Sequence, residues 1–352
     1  MGSITAPYLI FPSISTGCSI LSLSDKKLYE YEDLFEGFDD AWCVGSSQGL
    51  LVVLDQNAEP LLFNPSSGVR TALPSFPSWF MHPVEKRYFA QELRKSFIAK
   101  AIVLHNVSNF MVFLIYGSEY KIAFYVSGDE TWTQLEDADR VYCDVITSKN
   151  NIYALSTDGY VEGWDFHKNQ PKKFLDIRPS GERDEEKLKN FLSDKFSSQF
   201  YLVEDLMGEL LLVKRFIGNF VNHDGVAMYE GELLSPEDTQ PLIYPYRTKY
   251  FSVCKLNFFR RKWEKVKCLK DQVLFVGSNE SASLSAQDFS ECDGNSVYFS
   301  DDRWEEMNLD DLYGGHDFGV FSLGDEIVKP LMPNVMDKID PPAIWIVPTL
   351  DM

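Results

Sequence analysis

Gly314-Gly315-His316-Asp317 places an imidazole beside a carboxylate at a glycine-rich turn. Such a pair could ligate a metal or form one leg of a nucleophilic triad. The five histidines, at positions 82, 105, 167, 223 and 316, are scattered singly along the chain, so spacing builds no ligand cluster. The favoured reading is a turn in which His316 or Asp317 bonds nearby backbone and fixes a connection. Gly45-Ser46-Ser47-Gln48-Gly49 fits the G-x-S-x-G pattern of a hydrolase nucleophile. That elbow needs a strand, a sharp turn and then a helix. Here Leu50-Leu51-Val52-Val53-Leu54 follows and reads as a strand, so a hairpin turn is expected.

Asp301-Asp302-Arg303-Trp304-Glu305-Glu306 is an acidic run with one Arg and one Trp, and it lacks the Asp-x-Asp-x-Asp-Gly spacing of a calcium loop. Its plain reading is a solvated connection. Its functional reading is a protein-binding rim, because Trp, Tyr and Arg are the usual anchors of interfaces. The candidate rim is Arg303, Trp304, Tyr313, His316 and Asp317. Lys86, Arg87, Arg94, Lys95 and Lys100 concentrate positive charge in an acidic chain. Intramolecular pairing or solvation is expected of them, with an acidic partner as the alternative. Six cysteines, at 18, 43, 143, 254, 268 and 292, show no C-x-x-C pair, which argues against structural zinc and thioredoxin-like chemistry. They are expected to be buried and reduced, in the cytoplasm or nucleus. No catalytic residue, cofactor or metal is assigned. A propeller enzyme such as a glycosidase would need two carboxylates about 5–9.5 Å apart in a pocket, and sequence spacing does not supply that.

These residues must be positioned by strands. Hydrophobic residues make up 45% of the chain and aromatics 14%, a composition suited to strands and large packed cores. The 33 Lys+Arg against 53 Asp+Glu give a net charge of −20, which disfavours nucleic acid as a partner. The longest apolar runs fall far short of the roughly 20 residues that a spanning helix needs, so no membrane is expected. The N-terminus lacks the basic and apolar regions of a secretory signal.

One unit recurs: an alternating strand, a tight polar turn and a second strand. It appears at Ile20–Tyr31, Leu62–Leu73 and Ala123–Leu135, with weaker copies from Val161, Val253 and Val320. The copies after the first are preceded by further short strand-like runs, such as Lys100–His105 and Phe110–Gly117. Period-2 alternation bounded by Gly, Asn, Asp and Ser reads as hairpins. Six units of three or four antiparallel strands predict an all-β, single, six-bladed β-propeller, kelch-like, over residues 8–349. Residues 1–7 are read as a tail. Insertions are expected at about 181–195 and 222–248, and short helical character at 84–97 and in the first insertion. The first apolar run, Tyr8–Phe11, and the last, Ala343–Val347, are expected to complete one shared blade, so that neither keeps an open edge.

Several stretches, in order, resemble the plant F-box-associated propeller family (domain of unknown function 295, or KIB-type propeller). The resemblance is strongest over Val273-Leu274-Phe275-Val276-Gly277, Cys292-Asp293-Gly294-Asn295-Ser296-Val297-Tyr298-Phe299-Ser300-Asp301-Asp302 and Gly314-Gly315-His316-Asp317-Phe318-Gly319-Val320-Phe321. Val44-Gly45-Ser46-Ser47-Gln48-Gly49, Phe63-Asn64-Pro65 and Pro341-Pro342-Ala343-Ile344-Trp345 also fit. Gln48, Leu50 and Ser66 depart from the family's tendencies. The resemblance implies a non-catalytic propeller that presents protein substrates to a cullin-based, SCF-type ubiquitin ligase. Family members often carry an N-terminal F-box that docks the ligase adaptor. With the first apolar run at Tyr8, this sequence is read as lacking one, so contact with cullin-ligase components is expected to be indirect. The alternative is a stand-alone scaffold or competitor that binds the same protein partners.

Overall fold

The inner strands of this chain are apolar on both faces, and the period of two explains how. In Phe110–Tyr116, Met111, Phe113 and Ile115 pack on one side while Val112, Leu114 and Tyr116 pack on the other. A sheet buried on both faces needs a neighbour on each side, and a ring of sheets supplies both. The computed structural model describes residues 6–12, 18–31, 41–80, 94–105, 109–148, 151–166, 171–180, 191, 194–222, 224–229, 246–303, 314–332, 338–339 and 341–347. It is a six-bladed β-propeller.

Blade 1 joins β1 (Tyr8–Pro12), β2 (Cys18–Ser22) and β3 (Leu28–Tyr31) to the last strand, β25 (Ile344–Ile346). Blade 2 is β4 (Trp42–Ser47), β5 (Leu50–Leu54), β6 (Pro60–Phe63) and β7 (Arg70–Ala72). Blade 3 is β8 (Ile98–His105), β9 (Phe110–Tyr116), β10 (Lys121–Val126) and β11 (Thr133–Gln134). Blade 4 is β12 (Tyr142–Ser148), β13 (Asn151–Ser156), β14 (Val161–Asp165) and β15 (Lys172–Ile177). Blade 5 is β16 (Phe196–Glu204), β17 (Leu210–Gly218), β18 (Arg247–Asn257) and β19 (Lys262–Val266). Blade 6 has five strands: β20 (Gln272–Val276), β21 (Ala282–Ser285), β22 (Ser296–Phe299), β23 (Gly319–Ser322) and β24 (Ile327–Pro330).

The six recurring hairpins are the outer strand pairs of the six blades. The core is divided among the blade interfaces, with a separate apolar cluster between each pair of neighbours. The ring closes as expected, with Tyr8, Leu9 and Ile10 opposite Ile346, Trp345 and Ile344. Trp345 is fully buried and meets Phe275 edge-on at 5.1 Å and Tyr298 at 5.8 Å. The terminal strand is thereby wedged against blade 6. Of the expected helical segments, only Arg94–Ser96 is helical among the described residues. Residues 84–93, most of 181–195 and most of 222–248 lie outside them.

Blade 6 departs from the simple repeat. Its order is β21-β20-β22-β23-β24, and β20 and β22 run parallel. β21 is the axial strand and packs on β16, the axial strand of blade 5. In the sequence, the strand-like runs before the sixth hairpin are Val273–Gly277 and Asn295–Ser300, which are β20 and β22, and none falls at β21. Its residues, Ala-Ser-Leu-Ser, carry too little apolar surface to mark a strand.

Polar side chains stitch the axial strands together. Ser46 donates to the Trp345 carbonyl, and Ser47 to the Val103 carbonyl at 2.9 Å. Lys100 bonds Asp144, which also accepts from the Leu202 amide. Ser148 donates to Glu204 at 2.6 Å, and Ser283 to the Glu204 carbonyl at 2.7 Å. These bonds link blade 2 to blades 1 and 3, blade 3 to blade 4, and blade 5 to blades 4 and 6.

Candidate functional site

Arg215 lies on β17 between Val213 and Ile217, on a face that is otherwise apolar, and it has no exposed surface. A guanidinium offers five N–H donors, and here each nitrogen is engaged. Nε donates to Thr248 Oγ1 at 2.7 Å. Nη1 reaches the Ser300 carbonyl at 2.9 Å, Asp302 Oδ1 at 3.1 Å and the Tyr201 hydroxyl at 3.2 Å. Nη2 donates to the Asp317 carbonyl and to Asp317 Oδ2, both at 3.0 Å. The group also sits 4.7 Å from the centre of the Phe299 ring. One blade-5 side chain thus gathers the two segments of blade 6 that flank residues 304–313.

Asp317 Oδ2 also accepts from the Thr248 amide at 2.8 Å and its hydroxyl at 2.7 Å. Asp301 accepts from the Tyr246 hydroxyl at 2.7 Å, the Asp317 amide at 3.1 Å and the Arg303 amide at 3.2 Å. Burial, reinforced by the Asp317 charge, pushes the Asp301 carboxyl up to about 6. His316 Nδ1 accepts from the Gly314 amide at 3.0 Å. Its Nε2 therefore carries the proton and donates to the Tyr246 carbonyl at 3.2 Å. With both nitrogens engaged, His316 has no lone pair left to offer a metal. Arg303 donates to Ser197 Oγ at 2.9 Å and lies 4.8 Å from the centre of the Tyr246 ring.

Three residues expected at an interaction rim are therefore interior. Arg303, His316 and Asp317 are 7%, 4% and 4% exposed. Their donors and acceptors serve the junction of blades 5 and 6. Trp304 and Tyr313, the other two, lie outside the described residues. The reading of His316 and Asp317 as the fixed points of a blade connection matches their geometry. Sequence reasoning missed Arg215, Tyr201, Tyr246 and Thr248. A signal for Arg215 was present: an arginine at an inward position of an alternating strand needs a buried partner.

The remaining chemistry resolves in the same way. Gln48 and Gly49 have φ of 51° and 76°, the geometry of a two-residue hairpin turn, and a strand follows them. Ser47 spends its hydroxyl on Val103 and Glu280. Asp301 and Asp317 meet, but both are buried and bonded within the blades. All six cysteines are free, and burial pushes the thiols of Cys18, Cys43, Cys143 and Cys292 up to about 12. Among the described residues no cluster of His, Cys, Asp or Glu could hold a metal ion. Of the basic residues grouped by sequence, Lys100 pairs with Asp144 and Lys95 sits 5.0 Å from the Trp42 ring. Arg94 is also buried. Lys86 and Arg87 lie outside the described residues.

Among the described residues, the two most exposed large hydrophobic side chains sit on hairpin tips. Phe259 is 97% exposed at the β18–β19 turn, beside Phe258 and Arg260. Met207 is 78% exposed at the β16–β17 turn, beside Leu206. Exposed aromatic, Met and Arg side chains are the groups from which protein interfaces are built.

The family described as the KIB1-4 β-propeller matches residues 20–322. The chain belongs to that family. Among its relatives, the F-box protein At2g05970 of Arabidopsis thaliana is 21% identical over 330 residues, covering 92% of this chain and 76% of its own. The F-box protein SKIP23 of the same plant is 24% identical over 362 residues, covering 96% and 81%. Among solved structures, the Cps50 (Swd1) propeller domain of Myceliophteria thermophila aligns with a TM-score of 0.38 at 12% identity, covering 94% of this chain and 83% of that one. That likeness is too slight to bear on function.

Proposed function

We propose that this KIB1-4 propeller is a non-catalytic protein-recognition module, of the kind that presents substrates to SCF-type ubiquitin ligases. The observation that carries the reading is the division of its polar and apolar groups. The acid, base and thiol groups of the described interior are bonded or buried, while Phe259 and Met207 stand in solvent. The similarity to F-box proteins along nearly the whole chain supports the same role. Partners are proteins, held by anchors on the propeller surface; Trp304 and Tyr313 belong to the proposed rim by residue type. The proposed location is the cytoplasm or nucleus.

The test is affinity purification of the tagged full chain from its own tissue, with mass spectrometry of what accompanies it. Reproducible recovery of a cullin and its adaptor is the expected result for a ligase subunit. Recovery of other proteins without them would favour the second reading, a scaffold or competitor with no ligase role. Turnover of a glycoside substrate by the purified chain would overturn both.

A further inference from the structure

The turn between β20 and β21 crosses the propeller axis. The Glu280 amide donates to the Ser46 carbonyl of blade 2 at 2.8 Å. Its carboxylate accepts from the Thr147 amide of blade 4 at 2.8 Å and from the Thr147 hydroxyl, and it shares the single O–H of Ser47 with the Val103 carbonyl. A blade-6 turn is thereby tied to two blades on the far side of the channel.

Two features of this turn are unaccounted for by the fold. The first is charge. Among the described residues the Glu280 carboxylate is bonded by neutral donors, and burial drives its carboxyl upward. The nearby ammonium, Lys100, is bonded to Asp144. One negative charge at the axis therefore lacks an ion-pair partner among the described residues. The second feature is a set of orphaned oxygens. Ser278 Oγ, Asn279 Oδ1, Ser281 Oγ and Ser300 Oγ are buried and have no hydrogen-bond partner. Their residues are 2%, 1%, 7% and 0% exposed. Buried polar atoms without partners are rare and call for a bound water or ion. Two of them converge on one point. A methyl group built on Gly277 would lie 2.1 Å from Ser300 Oγ and 3.3 Å from Asn279 Oδ1.

We propose that the axial turn at residues 277–281 binds one alkali-metal cation. Hydroxyl, amide and carboxylate oxygens are hard donors suited to such ions. A single unpaired carboxylate with neutral oxygens matches a charge of +1, whereas calcium sites recruit several carboxylates. Glu280 is half-buried, so the turn is not sealed from solvent. The cation would complete the tie between blade 6 and blades 2 and 4. This inference is independent of the proposed recognition role.

The test is thermal unfolding of the full chain in sodium, potassium or choline chloride at matched ionic strength. The expected result is a saturable stabilisation by sodium or potassium over choline. At about 100 times its Kd, a cation shifts the unfolding equilibrium roughly a hundredfold. Glu280→Gln, which removes the charge and keeps the shape, is expected to erase the difference. Ser300→Ala, a smaller change, is expected to weaken it. Rubidium-soaked crystals are expected to show an anomalous peak beside Asn279 and Ser300. Equal stability in all three salts, persistence of the ion effect in Glu280→Gln, or water in place of the rubidium peak would each overturn the proposal. The crystal measurement decides the matter if a variant does not fold.

Discussion

Replacing Arg215 with Met keeps most of the stem volume and deletes the guanidinium. Six bonds are lost, and Asp302 and Asp317 remain without their shared cation. Removing one partner of a buried ion pair destabilises by about 3–5 kcal/mol, because the surviving charge stays desolvated. Asp302 is 11% exposed at its side chain and Asp317 5%, so water relieves the first only in part and the second hardly at all. With an unfolding entropy near 2.1 cal/mol/K per residue, the 352-residue chain has roughly 0.7 kcal/mol/K in total, and the expected fall in Tm is about 4–7 °C. Calorimetry of the two proteins at one pH and salt measures it. A second arm tests the cause: burial raises the Asp302 carboxyl and the Arg215 charge opposes that rise, so without Arg215 the penalty is expected to shrink as pH falls and Asp302 protonates. A loss below about 1 kcal/mol, the level of an exposed pair, or a penalty that ignores pH, would refute the reasoning.

Other consequences follow from the same structure. The Asp301 carboxyl is raised to about 6 in the fold from about 3.9 in an unfolded chain. The folded state therefore holds the extra proton between those values. The contribution of Asp301 is full below the lower value and is lost as pH rises through about 6; urea midpoints across this range should be flatter in Asp301→Asn. Trp345→Ala opens a cavity at the ring closure and is expected to destabilise by about 3–5 kcal/mol, read from denaturant unfolding. Phe259→Ala is expected to leave stability within about 0.5 kcal/mol while weakening capture of whichever partner the purification identifies. A thiol reagent is expected to label Cys268, the exposed cysteine, in the native state, and buried Cys18, Cys43 and Cys292 only after unfolding.

The outer hairpins were legible because they are local. Leu62–Leu73 alternates, turns at Asn64-Pro65-Ser66-Ser67-Gly68, and alternates again, and each feature lies within a dozen residues. The shared closing blade was legible because an isolated apolar run at each end needs a partner. β21 was not, since Ala282–Ser285 is half-polar and becomes a strand through its bonds to β20 and its packing on β16. The acidic run at Asp301-Asp302 looked solvated for a similar reason. Its cation, Arg215, is separated from Asp302 by 87 positions and from Asp317 by 102.

By itself, the sequence determined the blades: pleats of period two that are apolar on both faces, joined as successive hairpins with little helical periodicity between them, are satisfied by sheets stacked on sheets. Tertiary structure alone decided which polar residues face inward together. That choice rests on the ring bringing blades 5 and 6 into contact, and on a turn of blade 6 reaching across the axis to Ser46 and Thr147. Alternation is set by bonds between neighbours in the chain, whereas the burial of a charge depends on what the closed ring places against it.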